Sequence, residues 1–428
     1  MKANTVQSSM QQHVKHNFIT NVVDGGFFGW GLGFASFVTV IPLFMSQLTD
    51  SAVLIGLVVA LHNFGWQLPQ VFISGLVTRL TRYKPMVMRL TLHERWPFFG
   101  LAVVALLATS IDINWAAVLA VIFIGIHAFS AGLAAPAWQS MIAKVIPQER
   151  IGTFFGSQSG AANTMSALGA LVAGLILVAL PAPYNFALSF SITGVLMFIS
   201  MWFLGRTCEQ EHEVRPETVT AAFAWKPILR ILQRDTNFRW YLIVRSLSNF
   251  VWMAINFYTV YAVDRFGLDA RTVGFLPALF LISQGMSAPL LGWLGDRIGH
   301  RLVYAGGVLL MVISAFLAMT AQALPLFFLA YILAGASNAG YWSVGISLSL
   351  EFARPEEKPL YVGLINTAMA PFLLISSLIG GALADSYGYP AAFGFAAICG
   401  LITVAVTLFL VRDPNPITQT QPLPAVGD

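Results

Sequence analysis

Apolar stretches long enough to cross a bilayer alternate with short polar connections along this chain. A hydrocarbon core about 30 Å thick takes about 20 helical residues. Windows of that length fall near 20–47, 53–78, 84–109, 113–140, 152–180, 184–205, 238–263, 272–295, 301–323, 325–350, 360–385 and 390–411. The pattern predicts an all-α integral membrane protein with twelve transmembrane helices. Connections after odd-numbered spans hold only Arg265 and Arg271 as cations. The N-terminus, the connections after even-numbered spans and the tail hold nearly all the rest, including Arg79, Arg82, Lys84, Lys144, Arg150, Arg354 and Lys358. By the positive-inside bias, both termini are expected on the cytoplasmic face of a multi-pass protein of the cell membrane.

The second half echoes the first at an offset of about 207 to 220 residues, a period read as an internal repeat. FVTV at 37–40 returns as FYTV at 257–260, and PQERIGTFFG at 147–156 as PEEKPLYVG at 355–363. A six-plus-six repeat is the mark of a transporter whose halves rock about a site near the midplane. It predicts two pseudo-symmetric six-helix bundles, 1–206 and 238–412, with a linker at 207–237 and a cytoplasmic tail at 413–428. In the linker, WKPILRILQRD places Lys226, Arg230 and Arg234 opposite Ile228, Leu229 and Leu232. That spacing suits a short helix lying on the cytoplasmic membrane surface. A solvated linker with one helical turn is the alternative.

Composition sharpens the picture. The chain is 57% hydrophobic and 10% charged, against roughly 25% charged residues in soluble proteins, so its solvent is the lipid bilayer. The 23 Lys and Arg against 19 Asp and Glu lie between apolar stretches and form no basic stripe, so nucleic acid is not an expected partner. Cys208 and Cys399 show neither metal spacing nor a disulfide framework. The polar first sixteen residues run into an apolar stretch too long for a signal-peptide core, so no cleaved targeting sequence is expected. No nucleotide-binding motif, nucleophile–base pair or metal constellation stands out. Hence no cofactor is expected, ATP is not the energy source within this chain, and enzyme activity is not expected.

The sharpest local signal is LGWLGDRIGHR at 291–301, between spans eight and nine. With the twelve spans and the repeat, it resembles the cytoplasmic loop signature of the major facilitator superfamily, through Gly292, Asp296, Arg297, Gly299 and Arg301. PQERIGTFFG after span four resembles that family's basic loop. The resemblance implies that spans one, four, seven and ten line a central cavity, and that Asp296 meets the start of span five near Gly152 and steadies the outward-facing state. Glycines allow a tight turn and close helix approach, and a carboxylate suits the positive N-terminus of a neighbouring helix. The plainer alternative is a charged turn that fixes topology. The first-half counterpart, SGLVTRLTRYK, departs from the pattern: Arg79 takes the Asp position and Arg82 the second glycine. A matching lock is not expected there.

RLTLHERWPFFG, residues 89–100, places charges inside span three. The repeat starts that span at Lys84, so Glu94 lies roughly 15 Å from its cytoplasmic end. Neighbours on a helix point about 100° apart, so Glu94 and Arg95 do not fully neutralise one another, and at least one needs a partner elsewhere. The other ionised groups within spans are Asp24 in span one and Arg245 in span seven, at nearly equivalent places in the two halves. They can form a gate that bridges the halves when the cytoplasmic side closes. Alternatively Asp24 pairs with Arg89 or Arg95 as a fixed structural ion pair, or span three starts only at Trp96 and the charged run is interfacial. Asp24 and Glu94 are the carboxylates placed for proton coupling. His62 and His127 can carry protons or simply make hydrogen bonds.

Span seven carries Arg245, Asn249, Trp252, Asn256 and Thr259 at helical spacing, a polar stripe suited to a wet cavity or a packed interface. Span ten offers Ser337, Asn338, Tyr341 and Trp342; span four offers His127, Ser130 and Trp138. Aromatic rings with amides suit a neutral or amphipathic solute. His127, Trp138, Arg245, Asn249, Trp252, Asn256, Tyr341 and Trp342 are therefore the expected solute contacts. Asp24, Glu94, Arg95 and Arg245 are the expected coupling or gating groups. Span five is rich in small residues, which favours close helix contact, but lacks the Gly-Pro element of many antiporters in the family. The reading is a secondary active transporter of a small organic solute, driven by protons, with export of an amphipathic compound ranked above uptake. A non-transporting receptor or scaffold of the same fold is the alternative.

Overall fold

The computed structural model describes residues 2–37, 39–49, 52–211, 225–268 and 270–414, nearly all of them helical. Span one comprises α1 (Lys2–Phe34) and α2 (Val40–Leu48), span two α3 (Ala52–Gln67) and α4 (Gln70–Val77), and span three α5 (Lys84–Arg95) and α6 (Pro97–Leu107). α7 (Ile113–Val145), α8 (Ile151–Ala179) and α9 (Tyr184–Leu204) complete the first half. After α10 (Trp225–Arg234), span seven is formed by α11 (Thr236–Trp252) and α12 (Ile255–Phe266), followed by α13 (Ala270–Ile298) and α14 (His300–Thr320). Span ten is α15 (Leu324–Ala339), a π-turn and α16 (Gly345–Glu351), and the chain ends with α17 (Lys358–Tyr387) and α18 (Tyr389–Phe409). Nine uninterrupted or gently kinked helices among the described residues are long and apolar enough to cross a membrane. The first, second and seventh spans complete the twelve as broken helices.

The breaks have local causes. Leu68 precedes Pro69, and the residue before a proline disfavours the helical region. Pro97 has no N–H for the His93 carbonyl, so span three kinks there. In span one α1 ends at Phe34 and α2 resumes at Val40, with Pro42 in its first turn. In span seven no proline is present. The chain tightens instead, with Asn256 N–H donating to Met253 O and Phe257 N–H to Ala254 O, both three-residue bonds. The π-turn over Gly340–Val344 sits where Gly340 packs against Gly307 of α14, so closely that a Cβ at Gly340 would lie 3.2 Å from the Gly307 Cα.

Each half has its own apolar core. Phe44, Phe98, Ile124, Phe190 and Met197 belong to the first; Phe238, Tyr258, Met311, Phe327 and Phe393 belong to the second. A third cluster crosses between them. Val77, Met141, Ile142, Phe154 and Phe155 of the first half pack with Leu350 and Val362 of the second, all near the loop end that carries Asp296. At this Asp296 end, Gly152, Gly156 and Gly160 of α8 face Gly292, Ala288 and Gly285 of α13. A Cβ at Gly156 would lie 3.0 Å from the Ala288 carbonyl carbon, so the two backbones touch. Farther along α8 its glycines make no such approach to the second half: Gly169 meets Trp30 of the first half, and a Cβ at Gly174 would have nothing within 4 Å.

The linker region divides between the halves. Asn17 donates to Cys208 O at 3.0 Å and accepts from Cys208 N–H at 2.7 Å, while Asn21 donates to Thr207 Oγ1 at 3.0 Å, tying 207–211 to the first half. α10 joins the second half by burying Ile228 and Ile231 and pairing Arg234 with Glu357 at 2.9 Å. Leu229 is 43% exposed, because Ile231, one turn from Ile228, supplies the second buried contact. Residues 212–224 and 415–428 lie outside the described residues.

Candidate functional site

Within the first half, the charges of span three turn inward. Arg95 Nη2 lies 3.5 Å from Asp24 Oδ1 and donates to Ser200 Oγ at 3.0 Å. Ser200 in turn donates to Asp24 Oδ1 at 2.5 Å, closing a three-member ring across α1, α5 and α9. Asp24 is 4% exposed and Arg95 2% exposed, so this is a desolvated pair. Removing one partner of such a pair leaves an uncompensated charge at high cost. Of the two arrangements compatible with the sequence, this structure contains the pairing of Asp24 with Arg95 inside the first half. The charges are in a helix that begins at Lys84, not in an interfacial loop.

Glu94, next in the chain, is 6% exposed, and its carboxylate makes no hydrogen bond among the described residues. Its backbone carbonyl lies beside the Pro97 kink and is capped by His127, whose Nδ1 stands 2.8 Å away. His127 stacks parallel to His62, with centroids 5.6 Å apart, and Phe37 lies 3.7 Å from the His62 ring. His127 is therefore buried inside the first half as a backbone cap and does not face the space between the halves.

The second half holds Arg245 differently. Its guanidinium is 1% exposed, with Nη1 donating to Tyr341 O at 2.9 Å and to Tyr304 Oη at 3.4 Å. The Tyr341 ring lies 4.4 Å from its central carbon, within cation–π range. The wider π-turn leaves that Tyr341 carbonyl available to Arg245. No ion pair joins Arg245 to Asp24; the interdomain bridge expected of them is absent from this arrangement. Nor is the stripe of span seven one continuous cavity face, because the break after Trp252 rotates the residues beyond it. Arg245 and Asn249 are buried, with Asn249 Nδ2 donating back to its own helix at Arg245 O, 3.2 Å. Trp252 is half-buried beside Tyr341 at 5.6 Å, Asn256 is exposed, and Thr259 pairs with the Tyr331 hydroxyl at 2.7 Å.

Between the halves, Trp66 of α3 meets Trp342 edge-to-face at 5.6 Å, and Trp342 is perpendicular to Tyr341 at 5.3 Å. Below them Asn366 donates to Gln70 Oε1 at 2.7 Å, and Thr367 Oγ1 donates to Gln67 O at 3.2 Å. Trp138 packs on Phe155 at 5.9 Å. Aromatic rings and a hydrogen-bonded amide pair thus join span two to spans ten and eleven across the two halves. Trp66, Gln70 and Asn366 have no charge or motif to mark them in the sequence; only the packing of span two on span eleven brings them together.

At the Asp296 end a lock joins the halves. Asp296 Oδ1 accepts from Gly152 N–H at 2.8 Å, and Oδ2 accepts from Thr153 N–H at 2.6 Å and Thr153 Oγ1 at 2.5 Å. A carboxylate at the N-terminus of α8 satisfies donors that the helix leaves open. Gly299 turns the loop at φ +96, a conformation that favours glycine. Arg301 Nη1 donates to Val411 O at 2.6 Å, Arg297 stacks on Trp293 at 4.0 Å, and Gly292 gives α8 its close approach at Gly152 O. The first half uses a different device. Glu209, from the segment after α9, accepts from Tyr83 N–H at 2.9 Å and Lys84 N–H at 2.7 Å at the start of α5, and pairs with Lys144 at 2.9 Å. Arg82 pairs with Glu211 at 3.2 Å.

The model of the Major Facilitator Superfamily matches this chain twice, over residues 95–269 and 251–425. Multidrug resistance protein 1 of Bacillus subtilis (strain 168) is 27% identical over 154 residues, covering 36% of this chain and 39% of the relative. Quinolone resistance protein NorA of Staphylococcus aureus (strain Mu50 / ATCC 700699) is 27% identical over 161 residues, covering 37% of this chain and 40% of that protein. The aligned part thus spans about two fifths of these curated relatives. Among solved structures, the transporter FucP in the outward conformation superposes with a TM-score of 0.72 at 16% identity, over 92% of this chain and 99% of FucP.

Proposed function

The chain belongs to the major facilitator superfamily and is a multi-pass membrane transporter, not an enzyme, and from that premise we propose proton-driven export of a small amphipathic organic solute by alternating access. Both termini then face the cytoplasm, by the bias of Arg and Lys toward the Asp296 end, and the structure is the outward-facing state. The observation that carries the coupling is the buried ring of Asp24, Arg95 and Ser200. A proton added at Asp24 discharges the pair, leaves Arg95 as the uncompensated cation, and so changes the energy of the first half on each cycle. Glu94, buried without a donor beside the same guanidinium, is the second carboxylate through which a proton can pass. Trp66, Tyr341, Trp342, Trp252 and Trp138 supply flat apolar surface for the solute, and Gln70 and Asn366 can orient one polar group. Arg245 and His127 support this surface from within their own halves. Export is favoured over uptake by the aromatic surface and by two relatives named for drug resistance.

The test is transport in proteoliposomes with an imposed pH gradient, using fluorescent amphipathic compounds. The Asp24→Asn variant is expected to lose gradient-driven accumulation by at least about tenfold, equivalent to about 1.4 kcal/mol of coupling, while retaining solute exchange without a gradient. Equal accumulation by parent and variant would reject Asp24 as the coupling group. Absence of exchange for every compound would favour the scaffold reading.

A further inference from the structure

The lock at the Asp296 end contains a group that its helix-capping role does not require. His300 opens α14 and is 2% exposed. Its Nδ1 lies 2.7 Å from Glu351 Oε1 on α16, and its Nε2 lies 3.4 Å from Asp296 Oδ1 on α13. Both carboxylates are themselves buried, with side chains 6% and 4% exposed for Asp296 and Glu351. The imidazole is thus wedged between two carboxylates, one of which holds the N-terminus of α8 from the opposite half. A Cβ at Gly152 would strike His300 Nε2, so the ring also abuts α8 directly.

The surrounding charges define the balance. From α17, Lys358 is buried and within electrostatic reach of Glu351. From the tail, Asp413 approaches Gly299, next to His300. Arg301, on α14 itself, is engaged with Val411 O, and Arg297 turns outward over Trp293. From the first half, the facing groups are the N–H donors of Gly152 and Thr153, with Arg150 exposed ahead of them. With a proton on both ring nitrogens, His300 and Lys358 offset Asp296 and Glu351. A neutral imidazole has one N–H and one lone pair, so one carboxylate then faces a lone pair in a buried site.

We propose that His300 is a positioning residue that makes the lock pH-sensitive: its imidazolium holds Asp296 against α8, and loss of that proton loosens the Asp296 end. Imidazole ordinarily titrates between about pH 5 and 8, and the two carboxylates that flank this ring favour its charged form, so the switch lies on the alkaline side of that range. The sealed state is favoured on the acid side, and the population opening at the Asp296 end grows as pH rises. The proton leaves from one ring nitrogen to water as that end opens. The inference rests on the alternating-access reading but not on the solute or on Asp24 as the coupling group.

The test is a distance measurement across the Asp296 end by double electron–electron resonance. Labels are placed on Thr81→Cys and Arg354→Cys in a Cys208→Ser background, between about pH 6 and about pH 10. The short-distance population of the parent is expected to fall at least about threefold over that range. His300→Arg, with a permanent charge, should stay sealed at both extremes. His300→Gln should be shifted toward the open state at both. Glu351→Gln removes one facing carboxylate and should move the midpoint to lower pH. Asp24→Asn should keep the response even if it abolishes gradient-driven transport, which separates this inference from the coupling proposal. A parental pH response retained in His300→Arg overturns the inference, as does a pH-independent parent. If His300→Gln does not fold, the arginine and Glu351→Gln variants decide.

Discussion

At the scale of single residues, the decisive contact in the first half is made by a serine. Ser200 bonds both members of the Asp24–Arg95 pair, and its hydroxyl is the donor to Asp24. Ser200→Ala leaves a buried carboxylate short of a donor, a loss of about 1–3 kcal/mol. It is expected to lower the apparent melting temperature of the purified protein more than substitution of an exposed serine such as Ser110, and thermal unfolding in detergent checks this. The charged members of the pair stood out in the sequence because intramembrane charge is rare. Ser200 did not, since serines are common in packed spans. Glu209 was hidden for another reason: its partners Tyr83, Lys84 and Lys144 lie more than sixty residues away in the chain, and no local pattern announces a carboxylate that crosses to another helix start.

At the scale of elements, hydropathy located the spans and amphipathicity located α10, because both depend on composition over a window. The breaks were less visible. Pro69 and Pro97 are legible as disruptors, but the interruption after Trp252 has no proline, its Met253 and Phe257 packing on Gly380 of α17, and the π-turn at Gly340–Val344 sits against Gly307 of α14. That is why a stripe drawn at uninterrupted helical spacing along span seven placed Arg245 and Asn256 on one face, when one is buried and the other exposed. The small residues of span five, by contrast, meet α13 backbone to backbone. Gly156→Leu should therefore force α8 and α13 apart, at a cost of about 1–3 kcal/mol to the sealed arrangement. The expected readout is a roughly tenfold smaller sealed population with the Thr81–Arg354 label pair. Unchanged distances would mean that the Asp296 lock and the Gln70–Asn366 contact hold the end closed without the backbone contact of α8 on α13.

At the scale of the whole molecule, the two six-helix bundles and their repeat were legible, while the state of the transporter was not. Whether the halves meet at one end or the other depends on small differences between two packings of the same helices, and the sequence carries both. The interface suggests a further expectation at this scale. A solute lodged on Trp66 and Trp342 spans both halves, so replacing either ring by alanine should weaken binding by roughly tenfold or more, as for aromatic anchors in other sites. Isothermal titration with a transported compound measures this, and equal affinity in the parent and both variants would move the binding surface away from these rings.

Residues 207–211 are stitched to the first bundle and α10 to the second, so residues 212–224 carry the covalent link between the two bundles. Such a length reaches roughly 45 Å when fully drawn out, far beyond any displacement that rocking demands. Packing of helix on helix, not this link, therefore holds the two bundles together. A protease site inserted there and cut should leave two fragments that still purify together, held by α8 on α13 and α4 on α17, and separately encoded bundles should find one another in the same membrane.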